Sequence, residues 1–581
     1  MNTIARILLL LFCVPALLNS CRKTKLDHLM DHSTPWDSVA LSNTRIVNSA
    51  EYLNIIANGT DTLTTWDFHG KGAGDSYYTE PYSTRWSIGP SKYFPQTGQL
   101  GRTWRIPQSL FDTQDHLDLV FDLLVGFPNI NPNPGYSPLP VTIPDGSQPM
   151  DYYIGYLYYN NSYYLAAKRD ETAPSRRDYF KIRVINRADN IAYQGNASGN
   201  MQDMWGPVTL TYSDGTPVNA TTTNVGESMA SDYVELPYGK YQFRMLSASG
   251  WLIPGGDGTN LLDPPTASED IGNFQGNYQV YAPVVSFQPG ASYTIIVYPN
   301  KFAFTYFLNS EAYNTFQNAF RIIKDNASSA PNTGFCRTQC VNALPGQDGL
   351  DFRLDGTHGI RDIAYGSASE YVDLQAPDSM RVEAVDKTGK VLAYTSYPVE
   401  ANQNYTAYAY PNAAGTPQLV VMANDLSGDE EVINQGQDMG QTWLTANFMP
   451  FSKKFLNFCP DIPYATFTLG DGSVTGRAEA DNLQPGLPFT NYSWYNEKTP
   501  DKPFQIMVYR SAPNMVPGVW ADDIPVLRGQ DFIANKNIYT NFNGHLPMQE
   551  PGFYTVALIG RTGSNVQPSQ RAKMIVIKHN K

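Results

Sequence analysis

Histidine, cysteine and charge are all scarce in this chain of 581 residues. The seven His, at 28, 32, 69, 116, 358, 545 and 579, include no His-Glu-x-x-His and no close cluster, which argues against a zinc hydrolase. His28 and His32 would share a helix face, but two ligands do not make a metal site. Of the five Cys, Cys13 and Cys21 lie at the N-terminus, so Cys336, Cys340 and Cys459 remain for at most one disulfide. On a strand Cys336 and Cys340 would share a face about 13 Å apart, beyond the roughly 7 Å limit for a bridge, and both are expected as small core hydrophobes. Charged residues make up 16% of the chain, the net charge is −13, and no long basic run occurs, which excludes a nucleic-acid coat. After the first 20 residues no run of 18 apolar residues occurs, so no spanning helix is expected. No segment has the alternating acids, Gly and distant Glu of a Ca²⁺ loop. Neither a metal nor a cofactor is expected.

Turn formers and aromatics are abundant instead. The chain has 45 Gly, 42 Pro and 38 Tyr, and Tyr suits half-buried pleated surfaces, so an all-β fold divided among several domains is expected. Residues 1–21 carry one early charge, Arg6, an apolar run from Ile7 to Leu18, and small or polar residues before Cys21. This is the pattern of a secretory signal. The ending Leu18-Asn19-Ser20-Cys21 resembles the lipobox of bacterial lipoproteins, which implies residues 1–20 as signal peptide and Cys21 as the lipidated N-terminus, a membrane partner through its acyl chains alone. Residues 21–43 read as a polar tether. Arg22, Lys23 and Lys25 follow the Cys, whereas acidic residues there accompany surface export in lipoproteins of the Bacteroidota type.

Four segments repeat an apolar stretch closing on Asn: Arg45-Ile46-Val47-Asn48, Arg183-Val184-Ile185-Asn186, Gln339-Cys340-Val341-Asn342 and Lys454-Phe455-Leu456-Asn457. The Asn residues are 138, 156 and 115 positions apart, which suits domain-sized units with insertions better than a short-period solenoid. The second unit continues with Asp214-Gly215, Ser231-Asp232-Tyr233-Val234 and Ser292-Tyr293-Thr294; the third with Asp355-Gly356, Ser369-Glu370-Tyr371-Val372 and Asn404-Tyr405-Thr406. Asp-Gly predicts tight hairpins and the apolar alternation predicts strands. This order resembles the bacterial repeat family known as domain of unknown function 4397, an extracytoplasmic β-rich module often found in lipoproteins. The resemblance implies envelope location and a sandwich fold, and it brings no activity or catalytic residue. The expected architecture is tandem Ig-like or transthyretin-like β-sandwich modules with short helical insertions: 44–172 (divergent), 178–326, 335–427 (best match) and 440–581.

Candidate chemistry is thin. Gly74-Asp75-Ser76, with Asp67, His69 and His116 in the same unit, faintly suggests a hydrolase triad but lacks the strand-to-helix nucleophile turn, and a loop is expected. Asp112, Asp115, Asp118 and Asp122 recur every three or four residues, which predicts a solvated helix face with Leu110, Leu117, Val120 and Leu124 as its apolar contacts. In residues 151–166, Tyr152, Tyr156 and Tyr158 fall on one strand face with Ile154, and Tyr153 and Tyr159 on the other. Trp205 and Trp251 lie in variable stretches of the second unit, where sandwiches often place recognition. Trp205, Trp251, Tyr156 and Tyr158 are therefore the candidate ligand-contacting aromatics. The sequence points to a non-enzymatic, lipid-anchored protein of the outer membrane, on its periplasmic or outer face, with a binding, adhesion-like or structural role and an envelope protein or glycan as partner. The alternative is a glycan-binding lipoprotein of a polysaccharide-uptake system.

Overall fold

The structure is a computed structural model. It describes residues 40–49, 54–63, 103–122, 139–155, 164–189, 205–250, 252–255, 274–275, 282–306, 312–326, 334–424, 443–444, 451–486, 495–497, 505–539 and 550–580, apart from 254, 283, 357, 377, 402, 475–477 and 551. The fold is all β. Helical turns among the described residues are short 3₁₀ segments such as Gln108–Leu110 and Gly529–Phe532.

The third module shows the plan. One sheet has the order Val372–Gln375, Phe335–Asn342, Asn404–Pro411, Pro417–Ala423; the other has His358–Ile363, Leu350–Leu354, Ser379–Val385, Val391–Pro398. The opening strand Phe335–Asn342 pairs parallel with Asn404–Pro411, and the other neighbours are antiparallel. In strand letters the sheets read D-A-G-H and C-B-E-F, the transthyretin-like arrangement. The same parallel pair opens every module: Leu41–Asn48 with Met150–Ile154, Tyr179–Asn186 with Ser292–Tyr306, and Phe451–Asn457 with Gly552–Ile559. Four separate cores result, one within each segment. Module two departs most: its strands Ser292–Tyr306 and Ala312–Asn326 form a hairpin of 15 residues a side, and Trp443–Leu444 pairs onto the outer edge of that hairpin.

Asp-Gly makes the hairpins that the sequence predicts. Asp355 and Gly356 both have positive φ, 48° and 70°, between two paired strands of module three. Cys336 and Cys340 lie on one strand, buried and free in the core of module three, and Cys459 is likewise buried and free.

The Asp-rich stretch corrects the sequence reading. His116–Asp122 is a strand, not a helix. Leu117, Leu119 and Phe121 alternate into the core of module one while Asp118 is exposed, so the period of two in the apolar residues outweighs the three-to-four spacing of the acids. Asp115, with φ 58°, turns the chain into the strand, and the Asp112 carboxylate accepts from the amides of Gln114 and His116.

Candidate functional site

The opening strand explains what the repeated tetrapeptide is for. Its second residue enters the module's own core: Ile46, Val184, Cys340 and Phe455 belong to four different clusters. Its third residue points the opposite way, to a neighbouring module: Val47 and Ile185 meet in one cluster, Val341 and Leu456 in another. A strand buried on both faces carries apolar residues at consecutive positions, as Ile46-Val47, Val184-Ile185, Cys340-Val341 and Phe455-Leu456 do. Modules one and two are joined face to face by Val47, Tyr153, Ala167, Ile185, Ile296 and Ile323. Modules three and four are joined in the same way by Val341, Tyr408, Met422, Leu456, Ala557 and Ile575. Each Val, Ile, Leu or Met side chain among them contributes roughly 1.5–3 kcal/mol when fully buried, so the paired faces hold more strongly than surface ion pairs would.

The closing Asn ties down the loops of its own module. Asn342 Nδ2 donates to the carbonyls of Gln347 (2.8 Å) and Ile363 (2.9 Å), and its Oδ1 accepts from Leu344 N (3.1 Å). Asn186 makes the same three bonds with Gly206, Val225 and Ala188, and Asn457 with Ile462, Leu483 and Cys459. All three are buried, so each amide satisfies polar groups that would otherwise be stranded. Other repeated residues have matching roles. Ser231 and Ser369 accept from Val184 N and Cys340 N, and Tyr293 and Tyr405 accept, through their hydroxyls, the amides of Gln288 and Glu400.

The first residue of the tetrapeptide faces the joint, where charge collects. Arg45 reaches Asp151 and Asp325 at 2.6 Å each; Arg183 reaches Asp151 at 3.0 Å; Arg169 also pairs with Asp151. Asp325 further accepts from Thr294 Oγ1 (2.6 Å) and Tyr233 OH (2.9 Å). The side chains of Asp151 and Asp325 are fully buried and those of three Arg nearly so, so cations of modules one and two share one pair of carboxylates. Burial alone would raise the Asp151 pKa, but Arg45, Arg169 and Arg183 outweigh it and hold the carboxyl below its usual range. Arg45 is raised well above its ordinary value by the two Asp, against the opposing effect of burial.

The joint of modules three and four carries a network centred on a histidine instead. Tyr371 OH lies 3.1 Å from His579 Nδ1, Thr555 Oγ1 lies 2.7 Å from His579 Nε2, and Asn424 Nδ2 donates to Tyr371 OH. Lys454 Nζ crosses the joint to Ala423 O at 2.9 Å. Burial, with Lys454 adding to it, pushes the His579 pKa down to about 3 from an ordinary 6.5. The unfolded chain takes up this proton near pH 6.5 and the folded chain does not until about pH 3, so the stability this group confers is complete above about 6.5 and falls as pH drops through that window. Urea unfolding at pH 7 and pH 5 is expected to differ through this group by about 2 kcal/mol, at ~1.4 kcal/mol per pH unit, and His579→Gln should remove that difference.

A third contact joins modules two and four. Glu550 pairs with Arg244 (2.9 Å) and Lys578 (3.4 Å), Lys578 also donates to Gln242 Oε1, and Lys240 sits 4.1 Å over the Phe553 ring. Burial lowers the Lys578 pKa to about 8 and Arg244 adds to this, with Glu550 opposing.

The aromatics expected to touch a ligand fare unevenly. Trp205 is 40% exposed. Trp251, Tyr156, Tyr158 and Cys21 lie outside the described residues, as do Asp67, His69 and Ser76. Tyr152 packs in the core of module one and Tyr153 in the joint, so these two are architectural. Among the described residues no group of three or more His, Cys, Asp or Glu is placed to hold a metal ion.

The surface feature that sequence reasoning missed is the strand Met515–Trp520 of module four. Met515, Val516, Val519 and Trp520 are exposed by 49, 42, 62 and 45%, four of the ten large apolar side chains so exposed among the described residues. The signal was the uncharged run from Ser511 to Ala521 between Arg510 and Asp522.

Comparison with known proteins adds one match. Residues 338–431 match the family described as Domain of unknown function (DUF4397). The DUF4397 match begins within the opening strand of module three and runs past its last strand, Pro417–Ala423, so it spans both sheets. No curated protein matches the chain.

Proposed function

We propose that this protein is a lipid-anchored, non-catalytic component of the cell envelope, with Cys21 as the anchor and the paired modules as a fixed scaffold that presents a binding surface. The observation that carries this reading is where the ionisable groups are used. The side chains of Asp151, Asp325, Glu550 and His579 are buried and bonded across module boundaries, while four of the ten exposed large apolar side chains among the described residues share one strand of module four. Buried charges committed to packing serve assembly, and clustered exposed apolar groups serve contact. The lipobox-like ending Leu18-Asn19-Ser20-Cys21 supports acyl chains on Cys21 as the attachment. Cys21→Ala should move the protein from the membrane fraction to the soluble fraction; retention in the membrane would contradict the anchor. Glycan binding is the second reading, favoured by the exposed indole of Trp205. It predicts retardation in polysaccharide-containing gels that Trp205→Ala abolishes.

A further inference from the structure

Module four meets module two through a largely buried amine. Lys578 Nζ donates to Gln242 Oε1 at 3.3 Å and lies 3.4 Å from Glu550 Oε2. Gln242 and Glu550 are buried, and the Lys578 side chain is 17% exposed. As an ion pair this arrangement is poor. Glu550 gives its closer contact, 2.9 Å, to Arg244, and its Oε2 also accepts the Ala534 amide at 3.3 Å, so two cations divide one carboxylate. The other polar group on Nζ is the uncharged amide of Gln242. An ammonium buried with so little compensation is costly, and the cost falls when the amine is neutral, the form that is a nucleophile. With its pKa brought down to about 8 by burial, roughly a tenth of this amine is neutral at pH 7, against about one in a few thousand for an ordinary lysine.

An electrophile and a proton carrier are in place beside it. Gln242 Cδ lies one carbonyl bond, about 1.2 Å, beyond the oxygen that Nζ already contacts. Gln242 Nε2 donates to Ala282 O at 3.3 Å, which fixes the plane of the amide. Arg244 fixes Glu550 Oε1 while Oε2 faces Nζ. Burial of the amide and the carboxylate keeps out the water that would compete for the carbonyl.

We propose that Lys578 and Gln242 join in an isopeptide bond that ties module four covalently to module two, with Glu550 carrying the protons. Nζ adds to Cδ, the Cδ–Nε2 bond breaks, and two of the three ammonium protons pass by way of the Glu550 carboxylate to Nε2, which leaves as ammonium. One C–N bond replaces another, so no oxidant or reductant is needed. The bond spans 336 positions of the chain and fastens the pair of modules one and two to the pair of modules three and four.

Tryptic digestion of the denatured full chain with mass spectrometry tests this. Trypsin does not cleave after an acylated lysine, so residues 241–244 should appear joined to residues 574–581, about 17 Da below the summed mass of the two peptides. Lys578→Arg keeps the charge and should release residues 241–244 free from a chain whose circular dichroism is unchanged. Glu550→Gln, of the same size, should slow the appearance of the branched peptide in chain folded from denaturant by about 100-fold or more. Separate peptides only, from the unaltered chain, would overturn the proposal. So would a mass deficit traced to other residues, or a branched peptide that forms as fast in Glu550→Gln.

Discussion

Asp151→Ala is expected to destabilise modules one and two together by about 3–5 kcal/mol, the range seen when one partner of a buried ion pair is removed. Arg45, Arg169 and Arg183 all converge on this carboxylate, and each is nearly inaccessible to water. Without it Arg45 retains Asp325, and Arg169 retains Glu171, whose side chain is 43% exposed. Arg183 retains the hydroxyls of Thr294 and Tyr153 and the Lys168 carbonyl, none of which carries the lost charge. Asp151→Asn should cost less than Asp151→Ala because its carbonyl still accepts one of the bonds. The exposed Asp118→Ala serves as the control and should change stability by no more than about 0.5 kcal/mol. Urea unfolding followed by circular dichroism measures all three.

Asn342→Ala is expected to cost module three about 3 kcal/mol. Two carbonyls and one amide lose their partner in a site with no exposure, and each stranded group costs roughly 1–3 kcal/mol before the loops relax. Asn342→Asp should be worse, since a carboxylate cannot donate to Gln347 O and Ile363 O and would be buried without a cation beside it. Asn186→Ala and Asn457→Ala should have effects of the same size in modules two and four, because their bonds are the same three in kind. A loss under 1 kcal/mol at all three positions would show that the amide does not hold the loops.

The Arg-apolar-apolar-Asn pattern, the Asp-Gly turns and the Tyr-Thr strand were legible because each is local: a strand's alternation, a turn's positive φ and a strand's start leave their mark within a few residues. The joints were not legible for the opposite reason. Asp151 and Arg183, or Tyr371 and His579, are brought together by two modules packing, and neither residue's sequence neighbours announce it. A partial signal existed, since Arg45 and Arg183 sit inside strands otherwise too apolar to face water, but it reads equally as a strand end. The Asp112–Asp122 stretch was misread because charge spacing was given more weight than the alternation of Leu117, Leu119 and Phe121. The Tyr excess turned out to be largely internal where it is described: Tyr153, Tyr238, Tyr293, Tyr298, Tyr408 and Tyr554 are among the largest fully buried side chains.

Modules act as pairs because each opening strand belongs to two interfaces at once. Hydrogen exchange on the full chain, with and without Asp151→Ala, measures this coupling. Arg45–Asn48 in module one and Arg183–Asn186 in module two should lose protection together, while Gln339–Asn342 and Lys454–Asn457 keep theirs. Loss confined to module one would contradict it.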